Sequence, residues 1–364
     1  MGKTILFLVN HEIVIYNFRR ELVERLIAEG HRVIISSPYG KKIEKLKNIG
    51  AEHVNLKIDR HGKNIFSELK LIQYYKKTIK EINPDIIFSY TIKPNIYGAI
   101  AARKYNIPFV ANITGLGTAV EQPGIMQGLT LLLYKYAFTS VKTVFFQNEE
   151  NQKFFEKNNI AIAKHKLLPG SGVNLDYFKY LDYPDSENSI NFIFISRIMK
   201  EKGIDLYLEA AEVIKKKYPK TTFHIIGFCE ESYENKLEEY QNRGIIQYHG
   251  MQNDIREYLK KTHCTIHPTY YPEGMSNVLL ESAASGRPVI ATDRSGCREI
   301  VDDGITGYLI EPENGQDLIE KIKKFINLSY EEQKSMGLAG RTKVEKEFDR
   351  NIVINNYIRE TGDI

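Results

Sequence analysis

The chain has only three cysteines in 364 residues, Cys229, Cys264 and Cys297. They are scattered and lack metal-ligand spacing, which excludes a disulfide framework and gives no zinc motif. Long apolar runs are missing as well: stretches such as "ILFLV" near the start are far too short to span a bilayer. That run passes directly into Asn10 and His11, unlike the apolar region of a secretory leader. There is no low-complexity tract, and 42% hydrophobic with 26% charged residues is the composition of an ordinary globular chain. A reduced, cytoplasmic protein is therefore expected. At this length two domains are expected rather than one.

The net charge of +4 hides an asymmetry. Residues 1–175 hold 25 Lys+Arg against 14 Asp+Glu, and the remainder holds 25 against 32. Two ordinarily solvated faces would explain this, and so would a first half that works against an anionic surface or acceptor. No nucleic-acid recognition motif accompanies the charge, and no nucleic-acid partner is expected.

Strands and helices alternate from the start. "KTILFLV" reads as a strand, "IYNFRRELVERLIAEG" as a helix stopped by Gly30, and "HRVIISS", "AEHVNLKI", "PDIIFSY" and "IPFVANIT" as further strands between helices. So little room for hairpins predicts a parallel sheet covered on both faces. The pattern lapses in the Gly-, Pro- and Asp-rich "LLPGSGVNLDYFKYLDYPDSENS" and then restarts with "INFIFISRI", "TTFHIIGF", "GIIQYHG", "CTIHP", "RPVIATD" and "GYLIEP". The expected fold class is α/β, with two Rossmann-like, doubly wound parallel-sheet domains facing a cleft. Their expected spans are 1–175 and 176–345, and the following "RTKVEKEFDRNIVINNYIRE" reads as a helix. "IMQGLTLLLYKYAFTSVKTVFF" reads as an amphipathic helix against the core, with an apolar face resting on a membrane as the other reading.

Ligands of such sheets lie beyond the carboxyl ends of the strands. A dinucleotide fingerprint is absent, since "NHEIVIYNF" follows the first strand without a glycine. In "SRIMKEKG", Arg197 and Lys202 leave a strand end just before a helix, which suits a diphosphate; two surface cations are the plain alternative. "YYPEGMSNVLLESAASGRPVI" carries two carboxylates, Glu273 in a loop and Glu281 on a helix whose N-cap is expected at Ser276. No lysine lies within that stretch, and vicinal diols suit carboxylates, so sugar hydroxyls are the expected partners. An exposed Glu281 and an idle loop Glu273 are the plain alternative.

These residues carry a resemblance. E-G-x-x-x-x-x-x-E with "GRPVIATD", "SR…K…KG", "GVNLDYF", "GIIQYHGMQNDIREYL" and "GCREIVDDGITGYLIEP" resembles retaining glycosyltransferase family 4, with its GT-B fold. It is strong over residues 190–315. In "YTIKPNIYGAIAARKYNIPFVANITGLGT" it is nearest to enzymes of capsule, exopolysaccharide or lipid-linked oligosaccharide synthesis. The resemblance implies a metal-independent transferase without cofactor, in which a helix at 346–364 crosses back to the first domain. It would move a hexose or N-acetylhexosamine from a UDP-sugar to a polyprenyl-diphosphate-linked glycan, at the inner face of the membrane. The metal-dependent alternative uses an Asp-x-Asp pair, and the sequence has none.

Carried over residue by residue, Arg197 and Lys202 would bind the pyrophosphate and Glu281 the ribose hydroxyls. Glu273, with the backbone of Gly274, Met275 and Ser276, would hold the transferred sugar. Asn277 and Val278 would lie against the phosphates, and Gly227, Phe228 and Met251 near the base. For the acceptor the candidates are His11, Arg60, His61, Lys63 and Lys93. Two features depart from the family pattern. Many members have paired glycines where this chain has Asn10 and His11, and a histidine where it reads "SYTIKPN". A nucleotide-sugar epimerase of the same fold and a non-enzymatic nucleotide-sugar binder are the alternatives.

Overall fold

The structure, a computed structural model, describes residues 2–56, 65–117, 120, 123–185 and 189–362. The chain divides into two compact units, Met1–Ser171 with Asn351–Ile364, and Gly172–Arg350.

The first unit begins with β1 (Thr4–Leu8), α1 (Glu12–Phe18), α2 (Arg20–Ala28), β2 (Arg32–Ser37), α3 (Ile43–Asn48) and β3 (Glu52–Asn55). It continues through α4 (Ile65–Ile82), β4 (Ile86–Tyr90), α5 (Ala99–Arg103), β5 (Phe109–Ile113) and α6 (Ile125–Ala137). β6 (Thr143–Phe146), α7 (Glu149–Lys157) and β7 (His165–Leu167) follow. Among the described residues the sheet runs β3-β2-β1-β4-β5-β6-β7, with every pairing parallel. Central strands buried on both faces are dominated by apolar side chains, and all five residues of β4 and of β5 are buried, with Ser89 and Asn112 the polar exceptions. Each turn of direction puts a helix on one face or the other, which is why the sequence alternates two periodicities.

The second unit holds β8 (Ile190–Ile195), α8 (Ile204–Lys217), β9 (Thr221–Ile226), α9 (Glu234–Asn242), β10 (Ile246–Tyr248) and α10 (Arg256–Leu259). After them come β11 (Cys264–His267), α11 (Asn277–Ala284), β12 (Val289–Thr292), β13 (Gly307–Ile310), α12 (Gly315–Ile326) and α13 (Tyr330–Glu347). The order β10-β9-β8-β11-β12-β13 is again parallel throughout. In both sheets the strand order reverses beside the first strand, between β1 and β4 and between β8 and β11. Such switch points are where loops diverge and ligands enter.

Two expectations are corrected here. "IMQGLTLLLYKYAFTSVKTVFF" is not one element: α6 ends at Ala137 and the edge-ward strand β6 starts at Thr143. Nor is α6 simply a core helix, because Ile125, Leu129, Leu132 and Tyr136 face solvent. "RTKVEKEFDRNIVINNYIRE" is broken too, since Phe348 and Asp349 leave helical geometry between α13 and α14 (Arg350–Gly362). At that break the Val173 N–H donates to the Phe348 carbonyl at 2.9 Å, and the Arg350 N–H to the Val173 carbonyl at 3.0 Å. Gly172, at φ +63°, lies against the Arg350 backbone where a methyl group would collide.

α14 packs on the first unit through Val353, Ile354 and Tyr357 in its core and through the carboxylate of Glu360. Tyr357 is fully buried, 5.1 Å from the Phe88 ring and 5.2 Å from that of Phe145. Its hydroxyl donates to Asn112 Oδ1 and accepts from Arg19 Nε at 3.2 Å. Glu360, also buried, accepts from Lys166 Nζ at 2.6 Å and Thr143 Oγ1 at 2.9 Å. Removing only the Tyr357 hydroxyl leaves the buried Arg19 and Asn112 each short of a partner. Tyr357→Phe is therefore expected to cost about 1–3 kcal/mol in the first unit. Hydrogen exchange should speed up over residues 350–362 and not in the second unit; uniform protection would refute this account of the helix.

Candidate active site

Short loops bring the candidate donor residues together at the β8/β11 switch point. β8 ends at Ile195, and Arg197 follows it; β11 ends at His267, and Glu273 follows that. Lys202 closes a single 3₁₀ turn, Lys200–Lys202, just before α8. The junction depends on Gly203, whose φ of +78° is left-handed and whose missing side chain lets it lie on the Pro268 carbonyl. That close approach sets the Lys202 loop on the end of β11. Gly296 does the same for the Glu273 loop from the other side: at φ +89°, a Cβ there would be 2.8 Å from that of Glu273.

The outcome corrects one expectation. Glu273 is not without a lysine, because Lys202 Nζ pairs with its Oε1. The partners are 71 residues apart in sequence, so a reading confined to the Glu273 stretch missed them. Lys202 is 6% exposed, and so deep an ammonium is stable only with an anion or other acceptors beside it. Tyr271 also holds both cations, with its ring centroid 4.5 Å from Lys202 Nζ and 5.2 Å from the Arg197 guanidinium carbon. Arg197 reaches Glu230 Oε1 at 3.3 Å. Tyr271 and Glu230 were not anticipated; "TYYPEG" places an aromatic two residues before Glu273, the one signal that could have been used.

His267 is the other residue that was missed. It is 2% exposed, neither ring nitrogen has a hydrogen-bond partner, and Nε2 lies 3.9 Å from Glu273 Oε1, too far for one. Burial is the main cause of its pKa falling to about 4; Lys202 lowers it further while Glu273 opposes this. His267 is therefore neutral at pH 7. Asn277 Oδ1, at the first position of α11, is also buried and unpartnered.

Ser276 does occupy the N-cap of α11, as expected, but its hydroxyl makes no capping bond. Its N–H donates to the Gly296 carbonyl at 2.8 Å, so that backbone donor is already used. The amides of Asn277, Val278 and Leu279 lack intrahelical acceptors at a helix start and remain for an anion. Gly274 and Met275 line the turn between Glu273 and this helix, and Met275 is buried. Glu281 follows one turn into α11. The residue is partly exposed, yet an apolar surround pushes its carboxyl pKa up to about 7, moderated by Arg350.

Gly227 has a packing task. Its N–H donates to the Gly250 carbonyl at 2.9 Å, its carbonyl accepts from Tyr248, and a methyl there would strike the Ser196 carbonyl. Phe228 and Met251, by contrast, are exposed apolar side chains at the same edge.

In the first unit, His11 follows β1 and Lys93 follows β4, again at the switch point. His11 caps α1, its Nδ1 accepting from the Ile13 N–H at 3.2 Å, and the same nitrogen is 2.7 Å from Glu12 Oε2. One ring nitrogen can serve only one of these at a time. Lys93 Nζ donates to Glu68 Oε1 at 2.8 Å. Arg60, His61 and Lys63 lie outside the described residues.

The electrostatics of the pair can be tested without substrate. Lys202→Met removes the cation that depresses His267 and leaves a carboxylate facing it. The His267 pKa should rise from about 4, read by NMR titration of the imidazole protons. An unchanged value would mean that the pair does not set the local field.

Comparison with known proteins fits this geometry. Residues 4–148 match the family model described as glycosyl transferase 4-like, and residues 182–343 the model of glycosyl transferases group 1. A Campylobacter jejuni N,N'-diacetylbacillosaminyl-diphospho-undecaprenol alpha-1,3-N-acetylgalactosaminyltransferase is 27% identical, over 97% of this chain and 96% of that one. The capsular polysaccharide biosynthesis glycosyltransferase CapM of Staphylococcus aureus is 26% identical over 94% of each. Among solved structures, a glycosyltransferase from Rickettsia africae superposes with a TM-score of 0.83 at 22% identity, covering 98% of this chain and 97% of that one. Anabaena HepE in complex with UDP-glucose gives 0.79 at 19% identity, with both chains fully covered. With a matching model in each half and the two parallel sheets of the GT-B fold, the chain belongs to the glycosyltransferases that join a 4-like domain to a group 1 domain.

Proposed function

We propose that this glycosyltransferase moves a hexose or N-acetylhexosamine from a UDP-sugar to a polyprenyl-diphosphate-linked glycan in surface-polysaccharide synthesis, with retention at the anomeric carbon. The observation that carries the reading is the Lys202–Glu273 pair beside Arg197 at the β8/β11 switch point. A diphosphate offers Lys202 a stronger and doubly charged partner than Glu273. Lys202 then neutralises the departing nucleotide with Arg197 and the amides at the start of α11. Glu273, released, accepts hydroxyls of the transferred sugar and fixes its ring. It serves as an orienting group, and the donor's own phosphate oxygen takes the acceptor proton on the leaving-group face. Glu281 receives the ribose diol. The cations stand in for a metal in stabilising the leaving diphosphate. The relatives in diphospho-undecaprenol and capsule synthesis support the acceptor class.

The first test is a panel of UDP- and GDP-sugars in EDTA, with and without a polyprenyl-diphosphate-sugar extract. Lipid-dependent transfer from one UDP-sugar is expected, and Arg197→Ala or Lys202→Ala should each lower turnover about 10²–10³-fold. Isomerised donor without the extract would replace this reading with an epimerase. A glycosyl ester trapped on Glu273 would overturn its orienting role.

Glu281 gives a pH signature. Its pKa in the donor-free protein, about 7, lies above the ordinary carboxyl value, so it is largely protonated at about pH 6. Only the carboxylate accepts both ribose hydroxyls, and donor affinity should rise roughly ten-fold between about pH 6 and pH 8. Calorimetric titration should show a weaker, flat profile for Glu281→Gln.

A further inference from the structure

We infer that the outer face of α6 is a docking surface for an anionic lipid bilayer. This rests on the lipid-linked acceptor proposed above and names the part of the molecule that meets the membrane. Ile125, Leu129, Leu132 and Tyr136 recur at helical spacing and share one stripe. They are 91%, 51%, 65% and 58% exposed, and Met126 beside them is 47% exposed. The opposite side is anchored, with Thr130, Tyr134 and Ala137 buried and the Tyr134 ring 5.0 Å from Phe138 and 5.1 Å from Phe155. The helix is thus firmly held while presenting aliphatic side chains to solvent, an arrangement that water alone does not favour.

Charge selects the occupant. Between residues 123 and 148 there is no aspartate or glutamate. Lys135 is exposed on the helix itself and Lys104 is exposed at the end of α5. Arg103 lies 4.3 Å under the Tyr136 ring and donates to the Tyr136 carbonyl at 3.2 Å and to Thr139 Oγ1 at 2.7 Å. An apolar stripe bordered by cations and ending in a tyrosine suits the boundary between acyl chains and anionic headgroups. A second copy of the chain would bring the same cations against each other. No helix of the described residues is long and apolar enough to cross a membrane, so this face would hold the protein on the surface. It works as a partitioning device and includes none of the candidate donor residues.

The test is sedimentation of the full chain with vesicles of phosphatidylcholine alone or mixed with phosphatidylglycerol. Binding should need phosphatidylglycerol, fall with added salt, and drop about ten-fold or more for Leu129→Glu and for Leu132→Glu. Leu338→Glu, an equally exposed leucine of the second unit, should bind as wild type. Thermal melts of the three variants should match, because no buried group is altered. Transfer to a water-soluble short-prenyl acceptor should be unchanged in all three, whereas transfer to acceptor embedded in vesicles should fall with binding. Equal vesicle binding by wild type and both α6 variants would overturn the inference, as would a dimer in solution dissociated by Leu132→Glu without any vesicle binding. Loss of transfer to every acceptor by the wild type would instead count against the proposed function, since vesicle binding needs no substrate.

Discussion

One buried ion pair organises the second unit's site. Lys202 is almost fully enclosed, and an ammonium there demands a counter-anion at every stage of a catalytic cycle. In the donor-free protein that anion is Glu273. The charge is therefore already held in place, and in the proposed function exchange of one anion for another avoids the cost of burying a cation anew. The remaining features serve this pair: the left-handed Gly203 brings the two loops together, Tyr271 spreads its ring beneath both cations, and the reversal of strand order provides the opening.

The pair also explains why a histidine can sit idle nearby. His267 ends β11 with a carboxylate 3.9 Å away, a geometry that would ordinarily favour imidazolium. Burial and the adjacent ammonium outweigh it. Under the proposed donor binding, the balance of charge around His267 and Glu273 would change together when Lys202 turns to a diphosphate, so the two form one electrostatic unit.

Much of the fold was legible in the sequence, because central parallel strands are continuous apolar runs and stand out between amphipathic helices. The runs 86–90, 109–113 and 190–195 all became strands for that reason. The α6 stretch was harder. Its apolar residues extend around most of the helix, and periodicity alone does not say whether Leu131 and Tyr134 or Leu129 and Leu132 face the core. The site was half legible. Residue types at strand ends pointed to Arg197, Lys202, Glu273 and Glu281, but long-range pairing depends on which loops the topology brings together. The Ser276 hydroxyl shows a local signal giving way: its position is that of a cap, yet the contact with Gly296 supplies the constraint a cap would have given.

The return of the last helix has a consequence for how the chain is made. Asn112, Arg19, Lys166 and Thr143 all belong to the first part of the sequence, yet their buried partners Tyr357 and Glu360 are among the final residues. During vectorial synthesis the first unit cannot close while the second is being produced. The whole second unit, continuous from Gly172 to Arg350, has the opportunity to fold first. For roughly ten seconds or more at ordinary translation rates, the early sheet must wait with polar groups uncovered. A nascent chain stalled shortly before Tyr357 would hold a finished second unit and an unfinished first one, which makes synthesis of the stretch carrying Tyr357 and Glu360 the step that commits the first unit to its native state.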